Sequence, residues 1–400
     1  MKRIISFALS FLLIITSQSL FINAENVSRA SKNDENIIYK ETAAVPQQEL
    51  AIKAKSAILI EPKTGTVLYE MNADEKLPPA SVTKIMSLLL VMEAIDKGNL
   101  KLDTSVSASE HACSMGGSQI WLEPSENMTV DELLKATVIA SANDACVALG
   151  EQVAGSEEGF VALMNEKAKK LGMKNTEFKN ATGLDAEGHL TTARDIAIMS
   201  GELLKYSLIK KYSTVWMDTL RNGESELVNT NKLIRFYKGA TGLKTGTTSI
   251  AKYCLSASAQ RNGMELVAVV LAGETSSDRF SGAKKLLDYG FANYNFEVIN
   301  HKLKDNRIPV KNGIKNKVSV KCEDSLNILM FKNDNGKIRK DIKFKKEICA
   351  PIKKGDTLGT VDVYIGENKK GSLEIKASED VKKMSVSVVL RLIFTQIFKL

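Results

Sequence analysis

The sequence predicts an α/β protein of the α+β kind: an antiparallel sheet flanked by helices, then a small β-rich domain and a terminal amphipathic helix. Three observations carry that expectation. Strand-like runs occupy residues 56–60, 66–69, 253–259 and 264–271, in neighbouring pairs that suit an antiparallel sheet. Helical stretches lie between the pairs, the first over residues 85–94. Near Phe296 the composition changes to short β-branched runs, such as 317–320 and 360–365, separated by Gly, Asn and Lys turns.

The chain opens on Lys2 and Arg3, then an apolar run over 4–15 that only Ser6 and Ser10 interrupt. Ala24 supplies a small residue for cleavage, with the larger Ile22 nearby, so residues 1–24 read as a secretory signal. A retained single anchor is the alternative. Residues 25–50 are polar and read as a flexible lead-in to the main domain over 51–296.

Within that domain, 56–60 and 66–69 form a hairpin with Glu61-Pro62-Lys63-Thr64-Gly65 as its turn. Pro78-Pro79 then precede Ser81-x-x-Lys84. Residues i and i+3 of a helix share a face, so Ser81 Oγ and Lys84 Nζ can meet. The run behind them (Ile85, Met86, Leu88, Leu89, Leu90, Val91, Met92) is apolar on most sides and reads as a buried helix. A lysine at the start of such a helix is costly to keep charged. A nucleophilic serine that needs a base is one use for it; an ordinary helix start behind two prolines is the other reading.

A second helical stretch spans 129–150, with Leu133, Leu134, Val138 and Ile139 on a repeating face. In its middle stands Ser141-Ala142-Asn143-Asp144-Ala145, whose small residues suit the close approach of another element. Residues 159–171 are helical and 180–184 form a loop. Thr191-Thr192 offers an N-cap for the next helix, where Arg194 reads as structural, paired with a carboxylate near Asp195. Lys244-Thr245-Gly246 lies in a strand-like run. The stretch 239–246 fails the Walker spacing, because Leu243 stands where a glycine must precede the lysine.

Net charge is +8, and much of the excess lies after residue 300. A basic far end suggests an anionic surface, either membrane lipid or an acidic wall polymer. Nucleic acid is not expected, since the basic residues are not interleaved with aromatics in a recognised module. In the last stretch, 379–400, apolar residues dominate from Val381 on, and Ser387, Arg391, Thr395 and Lys399 recur at every fourth place. It is too short and interrupted to span a bilayer and reads as an interfacial amphipathic helix, or else as a helix packed on the β-rich domain, 297–378. Five cysteines at wide spacing make no disulfide framework. Cys146 and Cys254 read as buried, and Cys322 with Cys349 as a pair within the second domain. The three histidines show no metal-ligand spacing, and no metal or organic cofactor is expected.

Three elements stand in order: Ser81-x-x-Lys84, Ser141-x-Asn143 and Lys244-Thr245-Gly246. The set resembles the penicillin-binding proteins and serine β-lactamases. The flanks Pro79-Ala80, Asp144-Ala145, Thr192-Ala193-Arg194-Asp195 and Gly242-Leu243 make it similar to the low-molecular-weight D-alanyl-D-alanine carboxypeptidases, over nearly the whole mature chain. Lys63-Thr64-Gly65 is a decoy: it precedes Ser81 and sits in a turn.

The resemblance implies a penicillin-binding fold and acyl transfer from a D-Ala-D-Ala stem peptide of peptidoglycan. It implies Ser81 as nucleophile and neutral Lys84 as its base, lowered by burial and by positive Lys244. Ser141 would relay the proton to the leaving D-alanine, and Asn143 would hold Lys84 and a substrate amide. The backbone N–H groups of Ser81 and Thr247 would form the oxyanion site. Lys244 and Thr245, with Arg279 as a second receiver, would meet the terminal carboxylate, and Gly246 would let the substrate backbone lie against the strand. β-Lactams would acylate Ser81, and the protein would be exported to the outer face of the cytoplasmic membrane or the wall space. The alternatives are a serine β-lactamase, and a non-catalytic penicillin-binding scaffold. Three positions depart from the family pattern: Ala240-Thr241 where Val-Asp is frequent, Thr247 where His or Tyr is common, and Lys252 where Gly is frequent.

Overall fold

The computed structural model describes residues 40–41, 50–304, 306–322, 325–332 and 337–398. The expected signal over 1–24 and Lys399 lie outside them. The main sheet contains β1 (Lys40–Glu41), β2 (Ser56–Glu61), β3 (Thr66–Met71), β4 (Ala240–Thr248), β5 (Lys252–Arg261) and β6 (Met264–Gly273), in the order β1-β3-β2-β6-β5-β4. All pairs are antiparallel except β1 with β3. The two-residue β1 falls within the stretch expected as a lead-in.

Every residue of β6 is buried, because helices cover both sheet faces. Side chains alternate across a strand. Val267, Val269 and Leu271 join Ile58 and Ile60 in a core shared with helix α1 (Lys84–Asp96). Leu266, Ala268 and Val270 join Leu59, Leu286 and Leu287 on the opposite face. The last two belong to α6 (Ser276–Asn293). α1 is buried continuously from Lys84 to Met92, as its all-round apolar pattern predicts.

The expected single helix over 129–150 is two helices. α2 (Val130–Lys135) starts on a Thr129–Glu132 capping box and passes into a wide π turn over Ala136–Ala140. Ser141 then takes a left-handed conformation, φ 66° and ψ 27°, and α3 (Asn143–Ala154) starts in a new direction. The Ala142 N–H donates back to the Ala136 carbonyl at 3.1 Å, which closes the turn as a helix C-terminus does. A left-handed non-glycine residue costs about 1–2 kcal/mol. Periodicity could not show the break, because the apolar face runs on through it.

α4 (Glu157–Lys170) and α5 (Ala193–Leu203) follow, with the Thr192 side chain capping α5. Arg194 is structural as expected: it pairs with Asp74 at 2.8 Å, near enough to Asp195 to act on its carboxyl, and with Glu70 of β3 at 2.7 Å. Asp195 accepts from Thr176 Oγ1 and the Asn175 amide.

After α6, β7 (Tyr294–Ile299) pairs with β10 (Leu326–Phe331). A five-stranded sheet follows, built from β8 (Arg307–Pro309), β9 (Lys317–Lys321), β11 (Ile338–Phe344), β12 (Thr357–Ile365) and β13 (Asn368–Ala377), in the order β8-β9-β13-β12-β11. Its own core includes Val318, Val361, Val363, Leu373 and Ile375. The expected Cys322–Cys349 bridge does not form. Cys322 follows the end of β9, whereas Cys349 stands exposed in a bridge to Lys311. The last element is α7 (Val386–Phe398).

Candidate active site

The nucleophile turn is short and tightly held. Ala80–Thr83 form one 3₁₀ turn that runs directly into α1, so Ser81 and Lys84 share a face. Lys84 Nζ lies 3.0 Å from Ser81 Oγ, 2.5 Å from Asn143 Oδ1 and 3.0 Å from the Thr182 carbonyl. The Asn143 amide is fixed in that orientation, because its Nδ2 donates to the Gly116 carbonyl at 2.6 Å. Asn143 Oδ1 and the Thr182 carbonyl can only accept. A neutral lysine spends its two N–H donors on them, which leaves its lone pair for the Ser81 hydroxyl.

Both site lysines are almost completely buried. Burial pushes the Lys84 ammonium down to about 8, partly offset by the Asp144 charge. Lys244 is lowered well below its ordinary value, first by burial and then by repulsion from Lys84 and Arg279. The repulsion expected on Lys84 therefore falls on Lys244. Lys84 has three hydrogen-bonding partners and a nearby carboxylate, whereas the hydrogen bond from Lys244 Nζ goes to the Thr245 carbonyl at 3.1 Å.

β4 brings the third motif to the same place. Gly246 packs against the nucleophile turn: a Cβ there would lie 2.7 Å from the Pro79 carbonyl oxygen and 3.0 Å from the Ser81 nitrogen. Its missing side chain thus makes room for the protein's own turn, which sets Thr247 beside Ser81. Thr245 Oγ1 bonds Thr230 Oγ1 at 2.7 Å. Arg279, at the start of α6, is buried under this strand. Its Nη1 donates to the Gly246 carbonyl at 3.0 Å, Thr247 Oγ1 at 2.9 Å and the Cys254 carbonyl at 3.3 Å. Among the described residues its buried Nε has no hydrogen-bond partner. Lys252 holds φ 58°, the conformation that explains why glycine is frequent at that place.

Ser141 is buried at the break between α2 and α3, two residues before Asn143. The Asn143 N–H donates to the Ser118 carbonyl at 2.7 Å, so the loop at 116–118 supports this motif. Lys63-Thr64-Gly65 is turn chemistry: the Glu61 carboxylate accepts from the Lys63 and Thr64 amides and from Thr64 Oγ1.

Sequence reasoning missed the Asn180–Gly183 loop as part of the site. Asn180 Oδ1 accepts from the Thr182 and Gly183 amides, and this presents the Thr182 carbonyl to Lys84. Gly183 has φ +86°, and a Cβ on it would lie 1.9 Å from the Ala80 carbonyl oxygen. The glycine in an otherwise polar loop was the available signal. His189 was missed too. The Lys179 amide donates to its Nδ1, so its Nε2–H donates to Thr83 Oγ1 at 2.9 Å. Burial lowers it to about 4, so it is a neutral brace for the turn.

A helix-borne Ser-Lys pair, a serine and asparagine at a helix junction and a Lys-Thr-Gly edge strand define an active-site serine protein of the penicillin-binding and β-lactamase class. Residues 41–275 match the D-alanyl-D-alanine carboxypeptidase family of peptidases, and residues 296–383 match the penicillin-binding protein 5 C-terminal domain. The D-alanyl-D-alanine carboxypeptidase DacF of Bacillus subtilis is 47% identical over 348 residues, covering 86% of this chain and 90% of its own length. DacC of Escherichia coli is 34% identical, covering 82% and 85%. The crystal structure of penicillin-binding protein 5 from Haemophilus influenzae superposes with a TM-score of 0.73 at 29% identity, over 85% of this chain and all of that one. The chain belongs to the D-alanyl-D-alanine carboxypeptidase family.

Proposed function

We propose that this protein is an exported serine DD-carboxypeptidase that removes the terminal D-alanine from peptidoglycan stem pentapeptides through an acyl-enzyme on Ser81. The observation that carries this is the Lys84 amine, held by two pure acceptors and facing Ser81 Oγ. Neutral Lys84 takes the hydroxyl proton as Ser81 attacks the penultimate D-alanyl carbonyl. The developing oxyanion is met by the backbone N–H groups of Ser81 and Thr247. Ser141 passes the proton to the leaving D-alanine nitrogen. Lys244 and Thr245 receive the terminal carboxylate, and Arg279, through its unsatisfied Nε, adds positive potential under the same strand. A carboxylate also favours the charged form of Lys244, and that charge in turn disfavours a proton on Lys84. Water then hydrolyses the acyl-enzyme. β-Lactams acylate Ser81 by the same route.

The test is mass spectrometry after incubation with a pentapeptide muropeptide. Loss of one alanine, with labelled penicillin on the peptide that contains Ser81, is the expected outcome. An unchanged muropeptide would refute the reading.

Membrane association belongs to the same proposal. On α7, Val386, Val389, Leu390, Ile393 and Phe394 are all exposed. No helix among the described residues is long and apolar enough to cross a membrane; the exposed apolar side chains of α7 suit a place in the interface. Residues 297–400 carry 23 Lys and Arg against 13 Asp and Glu. Lys382 and Lys383 sit where the chain enters α7. Gly313 bridges Lys383, Ile352 bridges Val381, and the Ile314 amide donates to the Lys382 carbonyl. Truncation after Met384 should abolish sedimentation with phosphatidylglycerol vesicles while leaving D-alanine release in solution unchanged. Undiminished sedimentation of the truncated protein would rule α7 out as the anchor.

A further inference from the structure

Three successive peptide units lead into the Thr182 carbonyl that Lys84 uses, and each is pinned. The last is held at both ends, by Lys84 on the Thr182 carbonyl at 3.0 Å and by Asn180 Oδ1 on the Gly183 amide at 2.7 Å. The middle one is held by Ser87 of α1, whose hydroxyl donates to the Ala181 carbonyl at 2.6 Å. The first is held by Glu157, at the start of α4: the Ala181 amide donates to its Oε1 at 2.9 Å. A peptide unit is planar and turns as a whole, so rotation at Ala181 is passed on to the Thr182 carbonyl. α4 grips the loop a second time, because the Asn165 side chain both donates to and accepts from the Phe178 backbone, at 2.9 Å each.

The other oxygen of Glu157 reaches a different part of the site. Its Oε2 accepts from His111 Nε2 at 2.7 Å. His111 lies on the short helix Glu110–Cys113, whose capping residue Ser109 also donates to Glu151 of α3 at 2.7 Å. That segment runs on into Gly116 and Ser118, whose carbonyls hold the Asn143 side chain and amide. Glu157 therefore joins the segment that orients Asn143 to the loop that presents Thr182, and these supply the two acceptors of Lys84. Its side chain is 13% exposed and stands in the first turn of α4, where the helix dipole favours a negative charge. The chemistry above uses neither Glu157 nor His111.

We propose that Glu157 is a positioning residue for the Lys84 base: one carboxylate sets both of its acceptors, the Thr182 carbonyl through Ala181 and the Asn143 amide through His111. The inference rests on the reading of Lys84 as the base for Ser81. Without the strut, the Thr182 carbonyl swings off Lys84. The amine then loses both its aim at Ser81 Oγ and an acceptor that favours its charged form.

The experiment follows acylation by benzylpenicillin by stopped flow as a function of pH, per folded molecule. Glu157→Ala should lower the acylation rate constant about 10–10²-fold, the size of a small misplacement of a reacting group. Its acidic limb should also move to lower pH, because Lys84 has lost an acceptor. The other groups that face Lys84 (Asp144 and Cys146 on α3, Lys244 on β4) are not replaced. Glu157→Gln keeps an oxygen for the Ala181 amide and offers an N–H to neutral His111. It should stay within about threefold of the wild-type rate, a neutral oxygen being the weaker acceptor, with the limb unmoved. His111→Ala, at a half-exposed place, removes the brace alone and should slow acylation about threefold, the size of an exposed pair. This variant carries the test if Glu157→Ala does not fold. Full-rate acylation in Glu157→Ala or in His111→Ala, or a limb that stays in Glu157→Ala, overturns the positioning role. So does a limb that moves equally in Glu157→Gln, since the effect then belongs to the lost charge. A wild-type protein that benzylpenicillin does not acylate overturns the reading of Ser81 and Lys84 itself.

Discussion

Lys84→Met lowers kcat/KM for D-alanine release about 10²–10⁴-fold, the usual contribution of a positioned general base, while the stability of the protein stays nearly constant. The two halves of this result have separate causes. Methionine fills the same buried volume but has no basic nitrogen. On the stability side, a shift from 10.5 to about 8 means that holding Lys84 charged in the fold costs about 3 kcal/mol, which the substitution relieves. Against that, Asn143 Oδ1 and the Thr182 carbonyl lose their donor, at about 1–3 kcal/mol for each buried acceptor. The terms are of similar size and opposite sign. A structural lysine would show the reverse pattern, with a large loss of stability and little change in rate per folded molecule. The wild-type pH profile follows from the same residue. The base works unprotonated, so kcat/KM rises with pH through about 8 and falls tenfold for each unit below it. A profile that stays flat between pH 6 and 9, or a Lys84→Met protein at full rate, removes Lys84 from the base role.

Gly183→Ala should be the most damaging single-methyl change in the molecule. The new Cβ would lie 1.9 Å from the Ala80 oxygen and 2.4 Å from the Ala80 carbon, and both are backbone atoms that cannot rotate away. Alanine at φ +86° adds about 1–2 kcal/mol of left-handed strain, and overpacking of a core site costs about 1–3 kcal/mol more. Thermal and urea unfolding should report a loss of about 2–5 kcal/mol. Either way the clash is relieved, Ser81 or the Thr182 carbonyl must move, so acylation by benzylpenicillin should slow in the fraction that remains folded. Gly172→Ala is the control. It shares the positive φ, but a Cβ there meets nothing within 4 Å, so it carries the strain without the clash. Equal effects of the two substitutions would show that the contact with Ala80 is unimportant.

Residue type and order alone announced the chemistry. A serine three places before a lysine at the start of an apolar helix and a strand-borne Lys-Thr-Gly are local patterns, and both stand on the elements the sequence predicted. The short apolar runs of β2 and β6 and the turn at Glu61–Gly65 were equally legible, because strand composition and turn chemistry act over a few residues. What the chain order could not decide was everything that depends on contacts across a hundred residues. Periodicity carried the helix straight through Ser141, because the apolar face continues there while the backbone reverses into a left-handed turn. The carboxylates that pair with Arg194, Glu70 and Asp74, lie 124 and 120 residues away along the chain. The second acceptor for Lys84 is the main-chain carbonyl of Thr182, a group every residue carries, so residue type alone does not mark it. Gly246 and Gly183 look like ordinary loop and strand glycines until packing shows that both exist to let other backbone approach the turn before Ser81. Side-chain identity fixes which atoms can react. How far apart they stand, and what charge they carry there, is set by burial and by distant backbone, and only the folded chain contains either.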